Sequence, residues 1–227
     1  MLPAEMKVII FGASGMVGRG VLRECLLDAE VEAVLSIARS PIGQSDPKLR
    51  EILHQDFTNF APIERELAGW DACFFCLGVS SAGMKEADYA HVTYDFTLAA
   101  APLARLNPGM TFIYVSGEGT DSTAAGRSMW ARVKGKTENA LLALPFKAVM
   151  FRPGAIQARH GIRSKARVYR VLYALLGWII PLVKLFAPNQ VTATDTVGRA
   201  MLVVAKRGAP KPILRTIDIN TIGKTGA

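Results

Sequence analysis

Continuous apolar runs alternating with stretches of helical periodicity predict an α/β fold with a doubly wound parallel sheet of about seven strands and helices on both faces. Two observations support this. The runs are continuous, as in Lys7-Val-Ile-Ile-Phe11, which fits strands covered on both faces. The first run also breaks into regularly spaced glycines, Gly12, Gly15 and Gly18, and Met16, Val17, Val21, Leu22 and Leu26 then recur at helical spacing.

The first turn of such a helix presents backbone N–H groups without intrahelical partners and a partial positive charge, which together hold a pyrophosphate. Gly12 is expected to allow the tight turn, Gly15 the close approach of phosphate, and Gly18 the packing of helix on strand. The spacing is G-x-x-G-x-x-G, against G-x-G-x-x-G in the standard dinucleotide fingerprint. A Rossmann-like nucleotide-binding fold is the expectation.

The 227 residues, half of them hydrophobic, suit one domain with a small helical lid at 155–190. Cys25, Cys73 and Cys76 do not form a disulfide framework. Cys73 and Cys76 lie at an odd offset in a predicted strand, which sends their side chains to opposite faces as core residues. The first strand starts so early that no cleavable signal fits before it, and a cytoplasmic protein is expected. Between Glu138 and Asp195 there is no acidic residue, while Lys147, Arg152, Arg159, Arg163, Lys165, Arg167, Arg170 and Lys184 fall there and account for the whole formal charge of +8.

Residues 31–38 read as the second strand, ending at Arg39-Ser40-Pro41. At this place a dinucleotide fold reads the adenosine ribose, with an acid for NAD or an arginine for the 2′-phosphate of NADP, so Arg39 favours NADP(H) over NAD(H). Residues 51–55 are a short third strand ending at Asp56-Phe57, an acid and an aromatic placed for an adenine ring. A brief helix at 61–68 and a fourth strand at 71–77 follow, and Gly78 lets a cofactor pass close over the strand end. Residues 88–106 are helical, with Tyr89, Val92, Phe96 and Ala99/Ala100 spaced for one buried face.

The fifth strand, 111–115, delivers Ser116 at the edge where open α/β sheets place their chemistry. A helix at about 128–144 carries Trp130, Val133, Lys134, Thr137 and Leu141 inward, and the sixth strand, 148–151, closes with Arg152-Pro-Gly154. The rhythm is then lost through 155–190. Thr194 is expected to cap a helix with Val197, Ala200, Met201 and Val204 on its buried stripe, and 212–217 looks like a last strand.

Taken together, Gly12-Ala-Ser-Gly15-Met-Val-Gly18, Arg39, Cys76-Leu-Gly78, Val115-Ser116, Lys134-Gly-Lys-Thr-Glu138 and Phe151-Arg-Pro-Gly154 resemble an atypical short-chain dehydrogenase/reductase of the epimerase/dehydratase-like kind. The chain looks most like the Tat-interacting-protein type of NADPH-binding oxidoreductase, through Val191-Thr-Ala-Thr and Ile217-Asp-Ile-Asn-Thr-Ile-Gly223. The resemblance implies a cofactor held by Gly12, Ser14, Gly15, Met16, Val17, Gly18, Arg39, Asp56, Phe57, Leu77, Gly78, Lys134, Pro153 and Gly154, with Ser116 and Lys134 catalytic.

In that superfamily a Tyr four residues before the Lys exchanges the proton while hydride moves. Here the position is Trp130, and an indole N–H donates a hydrogen bond without exchanging a proton at neutral pH. Three readings stay open: NADPH binding without turnover; replacement of the phenol by Ser116, Glu118, Tyr169 or Tyr173; or a different registration of the helix. His54, His91 and His160 lack ligand spacing, so no metal is expected.

By analogy the basic and apolar 159–187 covers the nicotinamide, which favours a substrate both apolar and anionic. The same stretch fits the inner face of a membrane, or a homodimer interface in place of a monomer surface. Nucleic acid is a poor fit, because the basic cluster lacks interleaved stacking aromatics. The expected function is an NADP(H)-dependent oxidoreductase-like protein, against a cofactor-binding regulatory or peripheral membrane protein without redox turnover.

Overall fold

The computed structural model describes residues 5–162 and 190–226. In chain order these form β1 (Met6–Phe11), α1 (Met16–Leu27), β2 (Val31–Ala38), β3 (Leu49–Leu53), a 3₁₀ stretch (Ala61–Leu67) and β4 (Ala72–Phe75). Next comes α2, which runs from Glu86–Ala90 through a π turn (His91–Asp95) into Phe96–Leu98, followed by α3 (Leu103–Leu106), β5 (Thr111–Val115), α4 (Met129–Leu142) and β6 (Lys147–Arg152). The last elements are β7 (Ala155–Gln157), β8 (Val191–Ala193), α5 (Thr194–Arg207), β9 (Ile213–Arg215) and α6 (Thr216–Thr225).

Seven strands make one sheet in the order β3-β2-β1-β4-β5-β6-β9, and every pairing in it is parallel. The order reverses between β1 and β4, where open α/β sheets place their ligand crevice. Both faces are covered. Val8 and Ile10 of β1 join Val21, Leu22, Val197 and Met201 in one apolar layer, while Ile9 and Phe11 join Phe57, Phe75, Phe112 and Leu141 in the other. All four β1 residues are fully buried, and burial of such side chains contributes roughly 1.5–3 kcal/mol each. Cys73 and Cys76 pack into opposite layers, as their offset requires.

Several boundaries differ from the sequence expectation. The third strand is Leu49–Leu53, because its register is set by pairing with β2 from Val34↔Leu49 to Ala38↔Leu53. Gln55 lies past its end and donates to the Arg39 carbonyl at 2.7 Å. The long helix over 88–106 is broken, since Pro102 lacks an N–H and disfavours a helical residue before it. Thr194 is the first residue of α5 and not its cap, which is Ala193; its hydroxyl accepts the Arg159 N–H at 3.2 Å.

Three elements were not anticipated. Ala155–Gln157 and Val191–Ala193 pair in a separate parallel ribbon, so the two ends of the expected lid meet. The last strand stops at Arg215, where the Asp218 carboxylate accepts the Arg215 N–H at 2.8 Å and starts α6. Within the expected lid, residues 163–189, with Tyr169 and Tyr173, lie outside the described residues.

Candidate active site

The glycine turn is built by close contacts. Gly12 has φ +81°, and a Cβ on it would lie 2.6–2.8 Å from the backbone of Cys76 and Leu77. A Cβ on Gly18 would fall 2.1 Å from the Gly12 carbonyl oxygen, so α1 can sit this near β1 only with hydrogen at that position. Gly15 is different: it caps α1, and a Cβ there would meet only the Gly12 oxygen, at 3.3 Å. No side chain caps α1 and no acid stands in its first turn, so its positive end is left for an anionic ligand.

This turn opens into a cleft of about 1170 Å³ at the sheet reversal. Of the residues expected at a cofactor, Gly12, Ser14, Gly15, Met16, Val17, Arg39, Phe57, Leu77, Gly78, Lys134, Pro153 and Gly154 line it, with Ser116 and Trp130. A Cβ on Gly78 would meet nothing within 4 Å, and the open glycine edge leaves room for a dinucleotide to lie across the strand ends. Two expected residues are elsewhere. Gly18 is buried beneath the turn and serves packing alone. The Asp56 carboxylate accepts the Thr58 hydroxyl at 2.5 Å and the Thr58 N–H at 2.9 Å, which hold it below the usual carboxylate range, and it does not line the cleft.

Ser116 follows β5, and its hydroxyl donates to the Phe151 carbonyl at 3.1 Å. The Lys134 ammonium donates to the Ser116 carbonyl at 2.8 Å and the Val115 carbonyl at 3.3 Å. Burial pushes the Lys134 amine down to about 8, against the opposing pull of Glu138. Trp130 and Lys134 stand at i and i+4 on α4, which gives them one helix face. The indole sits against the loop after β5: a Cβ on Gly119, where φ is +84°, would come within 3.4 Å of the Trp130 ring, and one on Gly117 within 3.9 Å. That loop therefore has a glycine floor for the tryptophan.

A polar frame fixes α4. Glu138, fully buried one turn beyond Lys134, accepts Arg152 Nε at 3.0 and 3.2 Å, and Arg152 Nη2 donates to Ser122 Oγ at 2.6 Å. A Cβ on Gly135 would lie 1.7 Å from the Asp121 carbonyl oxygen, so loop and helix backbones touch. Glu118 lines the cleft with its carboxylate held by Arg215 Nε at 2.8 Å.

Tyr89, Val92 and Phe96 also line the cleft, together with Val79, Ser80, Ser81, Ala155 and Ile156. Their spacing on α2 is that of an ordinary core stripe, and no local signal separates a stripe facing the core from one facing a cavity. Cys76 reaches the cleft too, with its thiol pushed by burial up to about 12. Among the described residues no group of three His, Cys, Asp or Glu could hold a metal, and no helix is long and apolar enough to cross a membrane.

The seven-stranded parallel sheet is a fold shared with solved proteins described as short-chain dehydrogenases and as a UDP-glucuronic acid 4-epimerase. A short-chain dehydrogenase family protein from Francisella tularensis matches 90% of this chain and 93% of its own, with a TM-score of 0.65 at 14% identity. The Bordetella bronchiseptica enzyme WbmF, solved in complex with NAD+, matches 99% of this chain and 79% of its own, with a TM-score of 0.67 at 14% identity. Among curated proteins, the chain is similar to protein FMP52, mitochondrial, of Debaryomyces hansenii, 27% identical over 216 residues that cover 92% of this chain and 89% of the relative. The FMP52 protein of Chaetomium globosum is 24% identical over 227 residues, covering 96% and 97%. No protein-family model matches the chain. The relatives named mitochondrial overturn the expectation of a cytoplasmic protein. The position of the first strand carries no information about compartment, because targeting signals are read by receptors and not by the fold.

Proposed function

We propose that the protein is an NADP(H)-binding oxidoreductase of the atypical short-chain dehydrogenase/reductase kind, with a resemblance to the Tat-interacting-protein type within it. The observation that carries this is the half-buried Lys134 ammonium on the Ser116 carbonyl, at 2.8 Å, in the same cleft as the glycine turn. When bound, the nicotinamide supplies or accepts a hydride. The chain's residues do the rest: the turn and the start of α1 bind pyrophosphate, Arg39 meets the 2′-phosphate, and Lys134 orients ribose hydroxyls. The Trp130 N–H holds a substrate oxygen without giving it a proton. Trp130 also favours a second reading, binding of NADPH without turnover.

The test is tryptophan fluorescence titrated with NADPH and then NADH, with Trp130→Phe as control and binding heat as a second signal. Quenching by NADPH that is at least tenfold tighter than by NADH, and reduced in the control, is expected. No binding heat with either nucleotide would refute the proposal.

A further inference from the structure

The residue four positions before Lys134 decides which substrate oxygen the cleft can serve. Reducing a simple ketone or aldehyde leaves an alkoxide, whose conjugate acid is nearly as weak as water. That oxygen needs an acid within reach in the transition state. The indole of Trp130 donates a hydrogen bond and keeps its proton. Among the described residues beside it, the Ser116 hydroxyl donates to Phe151, two of the three Lys134 N–H groups donate to carbonyls, and the Glu118 carboxylate is held by Arg215.

The same cleft has an apolar stretch of wall that includes aromatic rings. Val79, Tyr89, Val92, Phe96, Trp130 and Ile156 line it, and α2, which carries three of them, is tied to α4 by Glu86 and Arg132 at 2.7 Å. Such walls stack flat conjugated rings.

Resting on the oxidoreductase reading above, we infer that the substrate is a planar quinone, reduced with Trp130 as a hydrogen-bond donor and with the proton drawn from water. One hydride, carrying two electrons, passes from the reduced nicotinamide to the quinone. The nicotinamide C–H bond breaks, a bond to hydrogen forms on the quinone, and the products are the oxidised nucleotide and a hydroquinone monoanion. That anion is a phenolate, whose parent acid has a pKa of about 10. It is stable long enough under one donated hydrogen bond to take its proton from water after transfer.

The experiment uses menadione as the quinone probe and 4-nitrobenzaldehyde as the carbonyl probe, on the full chain. Saturable quenching of tryptophan fluorescence and binding heat report menadione binding without turnover; NADPH absorbance reports reduction. Expected are saturable menadione binding that is weakened at least tenfold in Trp130→Phe, NADPH-dependent menadione reduction, and aldehyde reduction at least a hundredfold slower. Trp130→Tyr, which puts a phenol one turn from Lys134, is expected to gain aldehyde reduction. Wild-type protein that binds NADPH but neither binds nor reduces menadione would overturn the quinone proposal and leave the cofactor reading intact. Equal reduction of both probes would also overturn it, and would give the proton to another group, such as Tyr89. Failure to bind NADPH at all would refute the cofactor reading itself, and the quinone proposal with it.

Discussion

Lys134 holds its ammonium 2.8 Å from the Ser116 carbonyl oxygen while burial lowers its amine from 10.5 to about 8. The unfolded chain therefore keeps a proton on this residue at pH values where the folded chain has lost it, and stability rises with pH between about 8 and 10.5. Below that window both states carry the proton and the folded state bears the whole penalty of a buried charge. Lys134→Met is expected to raise stability at pH 7 by up to ~3 kcal/mol, with the gain shrinking to nothing by about pH 10.5. Thermal melts of both proteins from pH 6 to 10 measure it; a gain that does not change with pH would count against the shifted amine. Nucleotide binding, measured in parallel, should weaken in the same variant.

The glycine turn makes a sharper separation. Gly18→Ala meets the Gly12 carbonyl at 2.1 Å and is expected to destabilise by ~3 kcal/mol or more. Gly15→Ala meets one oxygen at 3.3 Å, and should melt within a few degrees of wild type while binding NADPH at least tenfold more weakly. Melting curves paired with nucleotide titrations distinguish the two; unaltered binding in Gly15→Ala would remove the phosphate from that edge.

Arg39 is exposed, lines the cleft, and has its carbonyl pinned by Gln55. Arg39→Ala should lower NADPH affinity ten- to a hundredfold, or ~1.4–2.7 kcal/mol, and leave NADH affinity within twofold. Equal losses for the two nucleotides would mean that the residue does not select between them.

Glu138 is fully buried and its partner Arg152 half-buried, so removing the arginine strands the carboxylate. Arg152→Met is expected to cost about 3–5 kcal/mol, and adding Glu138→Leu should return most of it. Chemical denaturation of both single variants and the double variant closes the cycle; additive losses would show that the pair is not coupled.

How much of this was legible in the sequence depended on whether the cause was local. Phe11 and Gly12 announce themselves, because a run buried on both faces must end where the chain turns, and a glycine triplet has few other uses there. Ser116 and Lys134 were readable for a similar reason: one stands at a strand end and the other at a helical spacing. Asp56 was misplaced because its carboxylate is taken by a neighbour two residues on, and side-chain capping competes with ligand binding in a way that spacing does not record. α6 was missed because Ile217, Ile219 and Ile222 look like strand residues until Asp218 caps the turn that starts the helix. Tyr89 was seen as core, since a helix stripe looks the same whether it meets a sheet or a cavity.

The pairing of Ala155–Gln157 with Val191–Ala193 brings the two ends of the intervening segment side by side. An insertion whose ends lie on paired strands makes little mechanical demand on its host, since each doubling of loop length adds only about 0.6 kcal/mol of closure entropy. That segment is therefore free to lengthen, shorten or be exchanged as a cassette over evolutionary time without disturbing the register of the main sheet. The main sheet and its glycine turn can stay fixed while the sequence between the two ribbon strands is rewritten.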